Sequence, residues 1–258
     1  MPAIADARLP YRLDGRTDAP VLVLGNSLGT DGRLWDAQVE AWQRDFRVLR
    51  FELPGHGGTA AWPAPFDMGA LAEALLALLD ALAIARCHYC GLSMGGAIGL
   101  ELAARAPERV QGLVLSNTAA QFGAADFWRQ RLARARDEGV MALFAASSAR
   151  WLTPAQAEAE PHTVALLRDM FTQVKRDGYL QCGQAVMDFD FHARLSSVAV
   201  PALVIAGTHD LATTPQQGRA LHAGLRASRY LELPVAHLGN LGAPAAFADA
   251  VAHFATST

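Results

Sequence analysis

A chain of 258 residues is long enough for one α/β domain or two small domains, and its 52 % hydrophobic content excludes an intrinsically disordered chain. Lys and Arg number 22 against 25 Asp and Glu, and a formal net charge of −3 gives no reason to expect a nucleic-acid or anionic-membrane partner. Lys175 is the one lysine, so the cations are nearly all arginine, and arginine abundance by itself marks no site.

Residues 1–15 carry no apolar core behind a basic start, so no secretory leader is expected. The segment from Ala7 to Asp14 reads as an added antiparallel strand. Val21–Leu24, Arg47–Phe51, Cys87–Cys90, Val110–Ser116, Ala202–Ala206 and Arg229–Leu233 read as strands, and several are continuous apolar runs of the kind a parallel sheet covered on both faces requires. Helical periodicity lies between them over 66–85, 95–106, 215–225 and 244–254. This alternation predicts an α/β fold with an open, doubly wound, mostly parallel sheet and helices on both faces. Residues 120–195 hold no buried-strand pattern. They are rich in Trp, Phe, Met and Arg, with breaks at Gly139, Pro154, Pro161 and Gly178, which predicts an all-helical insertion between two parts of one core, 1–119 and 196–258.

The longest apolar stretch, Leu71 to Ala85, is interrupted by Glu73 and Asp80 and is short for a bilayer span, so a buried-face helix is expected and no membrane partner. Three cysteines build no disulfide framework. Cys87 and Cys90 stand at an odd offset in one predicted strand and point to opposite faces, which suits core packing and neither a metal nor a bond. The expectation is a soluble, reduced, cytoplasmic protein.

The stretch Gly91-Leu92-Ser93-Met94-Gly95 has the form G-x-S-x-G, set after an apolar strand and before a helix. That context makes a nucleophile elbow: the sharp turn strains the serine backbone, and Gly91 and Gly95 leave it room. It lifts the Ser93 hydroxyl above the sheet and puts Met94 N–H at a helix N-terminus, where developing negative charge is favoured. A second oxyanion donor is expected from the loop after the first core strand, Gly25-Asn26-Ser27-Leu28-Gly29, at Leu28 N–H. Ser93 needs a general base. In the chain order Ser, acid, His, Asp210 follows the strand Ala202–Ala206 and His237 follows Arg229–Leu233, both past the carboxyl ends of core strands. Asp188 and Asp190 compete for the acid but follow helix. His56, in Pro54-Gly55-His56-Gly57-Gly58, reads as loop structure near the site.

With these residues in place the chain resembles the α/β-hydrolase superfamily over its whole length, and within it the 3-oxoadipate enol-lactonases. The resemblance is carried by LGNSLGTDGRLWDAQ at 24–38, GLSMGGAIGLELAARAPERVQGLVLSNTAA at 91–120, IAGTHDLATTPQQG at 205–218 and AHLGNLGAP at 236–244. Asn26-Ser27 stands where most of the superfamily has His-Gly, similar to the lactonase pattern. Two departures are visible: Glu52 where many relatives have Asp, and Leu238-Gly239 before Asn240 where the lactonases usually show Ser.

The resemblance implies a Ser93–Asp210–His237 triad, a Leu28 and Met94 oxyanion hole, and the helical insertion as a cap. It also implies a small carboxylated lactone as substrate, opened by water to 3-oxoadipate, with no cofactor and no metal. Asn26, Ser27, Trp128 and Trp151 are then candidate substrate contacts. A cation for the substrate carboxylate is sought in the insertion among Arg129, Arg131, Arg134, Arg150 and Lys175, with Arg129 beside Trp128 taken as a substrate contact. The sequence leaves monomer or homo-oligomer open. It also leaves open a general carboxylesterase, a cofactor-free perhydrolase or C–C hydrolase on the same site, and a lactone receptor of the same fold.

Overall fold

The computed structural model describes residues 9–258. The expectations about the leading residues, including the first two of the predicted opening strand, lie outside that range. Among the described residues seven strands form one sheet in the order β1-β3-β2-β4-β5-β6-β7. They are β1 (Tyr11–Gly15), β2 (Val21–Gly25), β3 (Arg47–Phe51), β4 (Cys87–Leu92), β5 (Val110–Ser116), β6 (Ala202–Gly207) and β7 (Ser228–Leu233). Among the described residues only β1 runs antiparallel, pairing Tyr11 to Phe51 and Gly15 to Arg47; the other neighbours are parallel.

Eleven α-helices accompany the sheet among the described residues: α1 (Asp36–Trp42), α2 (Met68–Ala81), α3 (Met94–Arg105), α4 (Ala125–Glu138), α5 (Phe144–Trp151), α6 (Pro154–Ala159), α7 (Pro161–Gln173), α8 (Arg176–Met187), α9 (Pro215–Gly224), α10 (Gly239–Gly242) and α11 (Pro244–Ala255). The alternation of strand side chains sorts the interior into two apolar layers. Val23, Leu49, Cys87, Tyr89 and Leu113 pack with α2, α3 and α9. Leu22, Leu24, Val48, Cys90 and Val114 pack with α1 and α11. Cys87 and Cys90 therefore face opposite layers, as their offset predicts.

Local signals set the helix ends. Asp67 accepts the Ala70 N–H and starts α2, and Ala83, at φ 52°, ends the run short of the expected residue 85. Thr214 and Gln217 close a reciprocal capping box on α9. α1 and the 3-10 turn Gly32–Trp35 before it were not expected from periodicity. Between β5 and β6 lie α4 to α8, with an isolated bridge, Gln121 to Asp190, closing the base of the segment. Among the described residues no helix is long and apolar enough to cross a membrane.

Candidate active site

Ser93 occupies the turn between β4 and α3 with φ 57° and ψ −117°, a region that L-residues rarely adopt. The surroundings over-determine that conformation. Ser93 N–H donates to Ser116 O at 2.9 Å, Thr118 Oγ1 donates to Ser93 O at 2.7 Å, and Gly95 N–H donates to Asn26 O at 3.0 Å. A Cβ at Gly95 would collide with the Gly25 carbonyl, so the elbow and the loop after β2 can approach only because Gly95 has none.

Asp210 and His237 stand at the carboxyl ends of β6 and β7, and both are buried. His237 Nδ1 donates to Asp210 Oδ2 at 2.9 Å. The same oxygen accepts from Thr213 Oγ1 at 2.7 Å and Asn117 Nδ2 at 3.0 Å, while Oδ1 accepts from Ala212 N–H at 2.7 Å and Thr213 N–H at 3.0 Å. Burial pushes the Asp210 pKa up, but the facing His237 and the hydrogen bonds outweigh it and bring it down to about 2. With Nδ1 committed to Asp210, the imidazole is left Nε2 for a partner in the cavity. The loop carrying it is anchored to α5: His237 N–H donates to Arg150 O at 3.2 Å and Leu238 N–H to Trp151 O at 2.9 Å, which satisfies carbonyls that the end of a helix leaves open.

A cavity of about 260 Å³ brings Ser93, Met94, Ser27, Leu28 and His237 together with Trp128, Arg131, Arg150 and Trp151. Among the described residues no hydrogen bond engages Leu28 N–H or Met94 N–H. Arg131 donates to Tyr179 Oη at 2.8 Å and Ser147 Oγ at 2.7 Å, and its guanidinium lies 5.9 Å from the Trp128 ring centre. Arg150 lies 5.1 Å from the Phe127 ring centre. Neither arginine has a carboxylate partner among the described residues. Burial, with Arg131 nearby, lowers the Arg150 pKa.

Other expected contacts lie elsewhere. Arg129 does not line the cavity; it is exposed and pairs with Asp126, because on α4 the face that carries Trp128 repeats at Arg131 and turns 129 outward. Asn26 is also turned away: its Nδ2 donates to Phe51 O at 2.9 Å and its Oδ1 accepts from Trp35 Nε1 at 2.9 Å, so it braces the loop from beneath. Arg134 pairs with Glu138, and Lys175 is exposed. Asp188 binds Gln184 and Asp190 binds His192, both away from the cavity. Asn117 and Thr213 went unassigned in the sequence, although Asn117 directly follows β5 on the edge where Asp210 and His237 were sought.

The family described as alpha/beta hydrolase fold matches residues 20–244. The chain is similar to 3-oxoadipate enol-lactonase 2 of Acinetobacter baylyi, 34% identical over 95% of this chain and 92% of that protein. It is also similar to RutD of Pseudomonas syringae pv. syringae, a protein named for carbamate hydrolysis, at 33% identity over 92% of this chain and 94% of that one. The crystal structure of the enol-lactonase from Burkholderia xenovorans LB400 superposes with a TM-score of 0.94 at 43% identity, covering 96% of each chain.

Proposed function

The chain is a hydrolase that belongs to the α/β-hydrolase fold family, and from that premise we propose that it opens 3-oxoadipate enol-lactone with water to give 3-oxoadipate. The observation that carries the reading is the buried Asp210–His237 pair, 2.9 Å apart, on the wall of the cavity that Ser93 enters. In this reading His237 takes the Ser93 proton as the hydroxyl attacks the lactone carbonyl, and Asp210 fixes the ring tautomer and steadies the imidazolium. Leu28 N–H and Met94 N–H stabilise the tetrahedral oxyanion. Its collapse breaks the ring C–O bond and leaves an enolate, still tethered through the acyl chain, which His237 protonates; the enol becomes a ketone, and that makes ring opening hard to reverse. Water activated by His237 then frees Ser93.

Residues 120–195 act as the cap. Its Arg131 and Arg150, two guanidiniums without a carboxylate partner among the described residues, supply the cation pair that a carboxylated substrate needs. Trp128 and Trp151 wall the ring. The reaction places the protein in the catabolism of aromatic compounds through β-ketoadipate.

The test follows the ultraviolet absorbance of freshly generated enol-lactone, against p-nitrophenyl acetate, for wild type and Ser93→Ala. The expected kcat/KM on the lactone is about 10⁵ M⁻¹s⁻¹ or more, well above that on the ester. Ser93→Ala should lower kcat by about 10⁴–10⁶ with the fold intact, and retention of more than about a tenth of wild-type activity overturns the assignment. The similarity to a protein named for carbamate hydrolysis supports a second reading. Faster turnover of a carbamate than of the lactone would select it and keep the same three residues.

A further inference from the structure

The functional reading leaves two buried histidines unused, His56 and His88, and of these His56 bonds to the loop after β2. His56 lies in the turn after β3, fully buried, and its ring bridges two backbone groups. Nδ1 lies 3.0 Å from Pro54 O, and Nε2 lies 3.1 Å from Gly29 N. A carbonyl only accepts and a backbone N–H only donates, so Nδ1 carries the hydrogen and Nε2 is the acceptor. The two contacts together select one neutral tautomer. Burial is the larger influence on this ring and lowers its pKa to about 4, although the Pro54 carbonyl pulls the other way.

Gly29 follows Leu28, and the backbone on either side of Leu28 is pinned. The Ser27 carbonyl accepts from Thr30 N–H at 3.2 Å and from Thr30 Oγ1 at 2.8 Å. In a planar trans peptide the N–H points opposite to the carbonyl, so these bonds aim Leu28 N–H. The next peptide, Leu28–Gly29, is held by His56. We propose that His56 is a positioning residue for catalysis: by accepting the Gly29 N–H it fixes the backbone at Leu28 so that Leu28 N–H stays aimed at the developing oxyanion. The same turn also seats the cap, since Gly55 O accepts the Lys175 N–H at 2.8 Å at the start of α8. One ring thus joins the seat of the cap to the oxyanion loop. The inference rests on the reading of Leu28 N–H and Met94 N–H as oxyanion donors.

The experiment compares His56→Gln, His56→Asn and His56→Leu in the full chain. Gln can place an acceptor where Nε2 stood; Asn keeps a donor for Pro54 O and lacks that acceptor; Leu has neither. Hydrolysis of p-nitrophenyl acetate is normalised to serine sites counted by the stoichiometric burst from an organophosphate ester, so misfolded protein is not counted. The second readout is affinity for phenylboronic acid, whose tetrahedral serine adduct places an oxygen in the oxyanion hole. Loss of a whole oxyanion donor costs about 10²–10³ in kcat, so mis-aiming one should cost His56→Asn and His56→Leu about tenfold to a hundredfold. KM should stay within about twofold, boronate affinity should fall by the same factor as kcat, and His56→Gln should recover to within about threefold of wild type.

Wild-type kcat per titrated site in His56→Asn, or a loss in His56→Gln as large as in His56→Leu, overturns the proposal. If His56→Asn yields no folded protein, His56→Gln against His56→Leu carries the test, and equal losses of kcat per titrated site overturn the proposal. Activity surviving in Ser93→Ala is a different failure, because it refutes the site reading itself.

Discussion

Asp210 accepts five hydrogen bonds and is held ionised well below the usual carboxylate range. Asp210→Asn should keep the geometry, impose the wrong imidazole tautomer, and slow turnover by about 10⁴ with little change in substrate binding, measured by steady-state and single-turnover kinetics. His56 gives a second expectation, on stability. Its folded pKa of about 4 lies below the ordinary 6.5, so below pH 6.5 the unfolded chain binds a proton that the folded one refuses. Stability is therefore full above pH 6.5 and declines as the pH falls toward 4, by about 3 kcal/mol from this ring. Denaturant titrations should show that decline flattened by about that amount in His56→Gln. At this scale the sequence was legible where a residue type sits at a strand end, as for Ser93, Asp210 and His237. It was not legible for Arg129 against Arg131, because a run of arginines on α4 does not say which turn of the helix faces inward.

The central strands β2 to β6 were legible because their apolar runs are buried on both faces, and proline precedes β2 and β6; β3 and β5 have the expected limits. α1 was not, because the Gly-rich loop before it hides a short helix that begins with a 3-10 turn. The contact between the His56 turn and α8 was invisible for another reason: it is made mostly of backbone. A Cβ at Gly178 would lie 2.6 Å from Pro54 O, beside the Gly55 backbone. Gly178→Ala should therefore lift α8 from its seat and cost about 1–3 kcal/mol in thermal or denaturant unfolding. In the reading proposed above it should also lower kcat, since the displaced turn carries His56.

The whole chain is slightly acidic, yet its cavity presents two guanidiniums with no carboxylate partner among the described residues. Attraction of an anionic substrate is then local and short-ranged. The preference for a carboxylated p-nitrophenyl ester over p-nitrophenyl acetate, as a ratio of kcat/KM, should fall several-fold between about 0.01 M and about 1 M salt. An unchanged ratio would remove Arg131 and Arg150 from substrate recognition. The layered architecture could be read from strand and helix alternation, whereas the order in which the strands neighbour one another is a long-range property that no local pattern carries. That architecture also distributes the three thiols: Cys87 and Cys90 lie in β4 on opposite sides of the sheet, and Cys182 lies in α8 against Pro54. All three are buried, and burial raises each thiol pKa, that of Cys87 to about 12. An alkylating reagent can therefore reach them only through an opening of the structure. The chain carries its own pair of clocks, one ticking when the helical insertion lifts and one when the central sheet comes apart, and peptide-resolved alkylation would read both in a single tube.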